Sequence, residues 1–96
     1  MINVKISTIL TLKEILGRRE LELSVPKGST VGALLALMIE TWGEELSSFL
    51  FEPESGQLRP HIRLMVNGRD VGFLNGMETV LREEDEILIL PPVAGG

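Results

Sequence analysis

Residues 31–42 carry apolar side chains at Val31, Leu34, Leu35, Met38, Ile39 and Trp42, a spacing that sets them on one face of a helix. This is the strongest helical pattern in the chain. The segments around it have a different period. Ile2, Val4 and Ile6 alternate with Asn3, Lys5 and Ser7, and Leu21, Leu23 and Val25 with Glu20, Glu22 and Ser24. Ile62, Leu64 and Val66 alternate with His61, Arg63, Met65 and Asn67. Period two points successive side chains to opposite faces of a strand. One long helix among several half-buried strands predicts an α+β fold, one sheet curled over one main helix. Burying the helical stripe contributes roughly 9–18 kcal/mol at ~1.5–3 per large side chain, as an upper bound. The stripe is therefore core, not a cofactor-binding face.

Punctuating residues set the boundaries. Pro26-Lys27-Gly28 breaks the second strand, which is predicted to run antiparallel to the first. Ser29 or Thr30 can cap the helix by accepting a bond from a free backbone N–H. Gly43 stands where a left-handed residue ends a helix, and residues 44–51 are predicted to add a short second one. Residues 11–16, closed by Gly17, read as a short helical turn or loop. Asn67-Gly68 is a tight-turn signal because both residues accept positive φ. Residues 69–71 follow as a short fourth strand, and Asn75-Gly76 as another turn. The run Glu83-Glu84-Asp85-Glu86 reads as a solvated turn leading into the last strand, Ile87-Leu88-Ile89-Leu90, which Pro91 ends for want of a donor. That last strand is apolar at every position, yet one helix covers only one sheet face. Half of its side chains are expected to face away from the helix and form a partner surface, rather than one covered by residues 43–60.

Ninety-six residues make one domain. The chain has no cysteine, hence no disulfide framework, thiol nucleophile or thiolate metal site. Nine basic and fourteen acidic residues leave a net charge of −5, which argues against nucleic acid as a partner. No run approaches the ~20 apolar residues of a membrane span, and the alternating first residues are not a signal peptide. A cytoplasmic protein is expected. No His, Asp or Glu cluster has metal spacing. His61, the sole histidine, reads as a surface residue at a strand start, and Asp70 lacks a paired carboxylate for acid–base work.

After Leu90 the chain reads Pro91-Pro92-Val93-Ala94-Gly95-Gly96. We expect a compact body over residues 1–90 and a flexible tail over residues 91–96. Glycine has no Cβ, so Gly95 and Gly96 can lie extended in a channel too narrow for side chains. Such a thread presents its terminal carboxylate. Extended, it reaches about 20 Å at ~3.3–3.6 Å per residue. Ordering it costs on the order of 6–12 kcal/mol, which the stiffness of Pro91 and Pro92 reduces. The last four residues are expected to order only in a complex.

The element order with its Gly-Gly end resembles the ubiquitin-like β-grasp fold, a mixed sheet on one main helix. "TLKEILGRRELEL", "VNGRDV" and "GMETVLREEDEILILPPVAGG" resemble the sulfur-carrier family, nearest in pattern to the small subunit of molybdopterin synthase. The resemblance implies a sulfur carrier that is not an enzyme alone. A ubiquitin-activating-type adenylyltransferase would use ATP to adenylate the carboxylate of Gly96. A desulfurase or rhodanese-type donor would then convert it to a thiocarboxylate. That sulfur would build the dithiolene of molybdopterin in the large subunit. No bound cofactor or metal is implied. Gly96 is the reacting residue, with Gly95 and Ala94 in the tail. Leu88, Leu90, Pro91, Pro92 and Val93 would dock the large subunit, and Lys13 matches a basic position of the family's first loop. Where the family commonly has an aromatic before the two prolines, this chain has Leu90. Residues 49–60 are longer than in compact members. A ubiquitin-like protein modifier and a carrier for thiamine or cysteine synthesis are the alternative readings.

Overall fold

The computed structural model describes residues 1–90, without the side chains of Leu10 and Thr11. Strand β1 (Ile2–Thr8) is followed by helix α1 (Leu10–Leu16), strand β2 (Glu20–Val25) and the long helix α2 (Val31–Leu50). Strands β3 (Arg63–Val66) and β4 (Arg69–Asp70), two 3-10 turns (Val71–Phe73 and Gly76–Glu78) and strand β5 (Glu86–Leu90) complete the chain. The five strands form one sheet in the order β2-β1-β5-β3-β4. β1 and β5 are parallel, and the β1–β2, β3–β5 and β3–β4 pairs are antiparallel. The architecture is the predicted mixed sheet over one main helix, with the last strand at its centre.

The inner face follows the alternation. Val4, Ile6, Ile87, Ile89, Leu64 and Val66 are buried together with Val31, Leu34, Leu35 and Met38 of α2. Ile39 and Trp42, expected on the same helical stripe, pack against this core but stay partly exposed. Beyond them the helix breaks at Gly43. Its φ of 71° and ψ of −153° interrupt α2, in a region open essentially to glycine alone. The chain then resumes as helix. Leu46 and Leu50, which the stripe did not predict, become fully buried. Residues 43–60 thus add to the layer containing α2 and do not cover the opposite sheet face.

Local chemistry settles the remaining ends. Thr30, not Ser29, caps α2, its hydroxyl accepting the Ala33 N–H at 3.1 Å. α1 is a full two turns with Leu12 and Leu16 buried. Gly17 closes it at φ 79°, donating its N–H to the Lys13 carbonyl, an αL cap. Asn67 and Gly68 have φ of 51° and 84°, as a type I′ hairpin requires. β4 is shorter than expected because Val71 leaves the ladder to start a 3-10 turn. The acidic run is only partly a solvated turn. Asp85 is half buried, accepting the Arg82 N–H and the Asn67 side-chain amide at 2.8 and 2.9 Å. Glu83 accepts the Asn3 N–H at 2.9 Å, and Glu86 already belongs to β5.

Candidate functional site

Direct pairing across the sheet determines which side chains share its outer face. Ser7 stands opposite Glu20 on one side and Leu88 on the other. Leu88 in turn faces Met65, and Met65 faces Asp70. The next row places Leu90 opposite Arg63. The row on the other side runs Glu22, Lys5, Glu86, where opposite charges alternate and stabilise one another. The outer face is therefore graded along β5, charged where the strand begins and apolar where it ends. Leu88, Leu90 and Met65 remain partly exposed.

Two further apolar residues border this patch. Ile9 follows β1 in extended conformation and is 36% exposed. Phe73 is 89% exposed, the most open large apolar side chain among the described residues. Neither belongs to a periodic pattern. Phe73 lies in Val-Gly-Phe-Leu-Asn-Gly, where turn residues hide any alternation. The signal that could have found it is an aromatic residue inside a glycine-rich turn.

The expected docking residues separate into two groups. Leu88 and Leu90 share the outer face. Lys13 is exposed on α1, which packs on α2 and so lies in the helical layer, not on the sheet face. Pro91, Pro92, Val93, Ala94, Gly95 and Gly96 lie outside the described residues. Three exposed arginines stand near the finishing end of β5, with Glu20 beside them. Arg18 and Arg19 precede β2, whose first residue pairs with Ser7, and Arg63 opens β3 opposite Leu90. At the starting end stand Glu83, Glu84, Asp85 and Glu86. The chain is acidic as a whole, and three of its nine basic residues stand near the finishing end of β5. Charge arranged in this way steers an approaching partner more than it stabilises the fold.

No side chain here is built for acid–base chemistry. The Asp70 carboxylate accepts the Gly72 N–H at 2.8 Å and lies 3.8 Å from the Arg63 guanidinium. These contacts give it a structural role. His61 is exposed in a turn before β3. Among the described residues no cluster of three His, Cys, Asp or Glu is placed to hold a metal. No helix among them is long and apolar enough to cross a membrane. What the geometry offers is an apolar, basic-edged face contiguous with the strand that leads into the tail.

Known proteins resemble this chain in sequence and fold. Residues 10–96 match the sequence model of the ThiS family. The chain is 36% identical over 86 residues to small archaeal modifier protein 3 of Haloferax volcanii, covering 90% of each chain. It is 42% identical over 77 residues to a putative sulfur carrier protein of Archaeoglobus fulgidus, covering 80% of this chain and 84% of that one. The solution structure of small archaeal modifier protein 1 from Methanosarcina acetivorans superposes with a TM-score of 0.84. That match has 35% identity and covers 100% of this chain and 98% of the other. The fold is the ubiquitin-like β-grasp that the element order led us to expect.

Proposed function

The chain belongs to the ThiS family of ubiquitin-like sulfur carriers, and on that premise we propose that it carries sulfur as a thiocarboxylate on Gly96 for dithiolene formation in molybdopterin. In this role it is the small, sulfur-donating subunit of molybdopterin synthase, and the chemistry that uses the sulfur belongs to the large subunit. The observation that carries the reading is that the family match runs through residue 96 and so includes both terminal glycines. The resemblance of "LPPVAGG" to the molybdopterin synthase small subunit supports this choice of pathway.

The chemistry needs little from the body of the protein. A carboxylate resists attack until one of its oxygens becomes a leaving group. An activating enzyme supplies this by joining the Gly96 carboxylate to the α-phosphate of ATP, with loss of pyrophosphate. The outer sulfur of a donor persulfide then displaces AMP to give an acyl disulfide, and a second thiol attacks the donor's sulfur, leaving a disulfide on the donor and the thiocarboxylate on Gly96. Gly95 and Ala94 keep the thread narrow. The body contributes affinity, through Leu88, Leu90 and the apolar patch around them.

A second reading is favoured by a specific observation. The Haloferax volcanii relative, similar over nine tenths of both chains, is named a protein modifier. Activated Gly96 would then acylate a target lysine amine. Both readings share the activation step and part at the acceptor.

The test is to incubate the protein with ATP, the adenylating enzyme of the same organism and a persulfide donor. The expected result is a mass gain equal to sulfur replacing one oxygen, and rescue of a strain lacking its molybdopterin synthase small subunit. Deleting Gly96 abolishes the mass gain and leaves the melting temperature unchanged. Isopeptide-linked conjugates on a denaturing gel without rescue would select the modifier reading. An unchanged mass with active partners would refute sulfur carriage.

A further inference from the structure

Phe73 has no role in the core and is not left loose. Its neighbour Val71 is buried and anchors the 3-10 turn from within. Asp70 caps that turn by accepting the Gly72 N–H at 2.8 Å, and Leu74 donates its N–H to the Val71 carbonyl at 2.9 Å. Glycine at position 72 permits the close approach, since a Cβ there would meet the Asp70 carboxylate oxygen at 3.1 Å. The turn is thus fixed while its phenyl ring points away from the core, 89% exposed. Immobilising a rigid ring on a fixed backbone loses little entropy, which is what an anchoring side chain requires.

Beside the ring runs an open groove of about 530 Å³, lined by Arg63, Met65, Arg69, Asp70, Phe73 and Leu74. Met65, Phe73 and Leu74 give it apolar surface, and it carries two guanidiniums. The one carboxylate, Asp70, is already engaged by the Gly72 N–H and by Arg63. In a chain of net charge −5 this groove has a local excess of positive charge, and its complement is acidic. Two of its residues pair directly with the last strand, Met65 with Leu88 and Arg63 with Leu90. A protein seated there therefore also holds the root of the tail.

We propose that Phe73 is an aromatic anchor for the adenylating enzyme that receives the tail, inserting into an apolar pocket rimmed by carboxylates that meet Arg69 and Arg63. This rests on the carrier reading above and adds to it the recognition element outside the tail. Aromatic side chains seated in desolvated pockets dominate binding energy at such interfaces. The charge ring governs the rate of encounter and its salt dependence.

The experiment is ATP–pyrophosphate exchange by the adenylating enzyme of the same organism, with wild type, Phe73→Ala, Phe73→Tyr and Arg69→Glu carriers as varied substrates. Phe73→Ala is expected to raise KM about tenfold or more and to leave kcat within about twofold, since binding shared by ground and transition states is lost. Phe73→Tyr restores most of the affinity, and Arg69→Glu raises KM more at low salt than at high salt. Far-ultraviolet circular dichroism of each variant is expected to match wild type. An unchanged KM for Phe73→Ala, with wild type adenylated, overturns this proposal alone. No exchange with wild type overturns the carrier reading and the proposal with it. Sedimentation showing a dimer of the free chain that Phe73→Ala dissociates, with no change in exchange, assigns the groove to a second copy and also overturns the proposal.

Discussion

Within β5, neighbouring residues differ sharply in burial. Ile87 and Ile89 are 1% and 0% exposed, whereas Leu88 and Leu90, each one position away, remain partly open. All four are apolar, so hydrophobicity does not separate them. What separates them is the pleat, which turns alternate side chains to α2 or away from it. The inner pair holds the fold together by packing. The outer pair, with Met65, contributes less to the fold and is available to another protein. A strand at the centre of the sheet thus stabilises the domain on one face and leaves a partly exposed apolar patch on the other.

That contrast can be broken or sharpened by substitution. The largest effect is expected from Ile89→Ala, which removes a fully buried side chain from the inner face. Destabilisation of roughly 2–5 kcal/mol is expected, read as the denaturation midpoint in urea. Each kcal/mol corresponds to about 4–8 °C in melting temperature for a domain of this size. Next comes Gly43→Ala. No neighbouring atom lies within 4 Å of the new Cβ, so any loss comes from the backbone conformation. A cost of about 1–3 kcal/mol is expected, with weaker amide protection in α2 on either side of the break. The smallest effect on stability is expected from Leu88→Ser on the outer face, less than about 1 kcal/mol. The same variant is expected to weaken binding to the molybdopterin synthase large subunit severalfold in a pull-down titration. A Leu88→Ser protein as unstable as Ile89→Ala would show that the outer face belongs to the core after all.

Much of the fold was legible because periodicity reports burial directly. The alternation in Ile2–Thr8 and Glu20–Val25, the turn at Asn67-Gly68 and the stripe from Val31 to Met38 all appear as the pattern requires. Leu46 and Leu50 were harder to see. The expected helix ends at Gly43, although Leu46 stands four residues beyond Trp42 and Leu50 four beyond Leu46, a spacing that continues the same face across the break. Asp85 was read as solvated because one of its partners, Asn67, meets it only when the β3–β4 turn folds beside the start of β5, while the other, the Arg82 N–H, lies three residues away in its own turn. For the candidate site, Leu88 and Leu90 followed from the strand period. Met65 joined them only through the β3–β5 register, and Phe73 only through a turn that no sequence period describes.

By itself, the sequence determined which segments are strands, which is the main helix and where each turns, because those depend on neighbours within a few residues. It also marked the tail, through a resemblance carried by consecutive residues. Tertiary structure alone decided that β5 lies at the centre between β1 and β3, that Arg63 and Met65 stand across from Leu90 and Leu88, and that Phe73 borders the same groove. These neighbours are distant in the chain, and only the packing of a whole sheet over a helix fixes which of them meet.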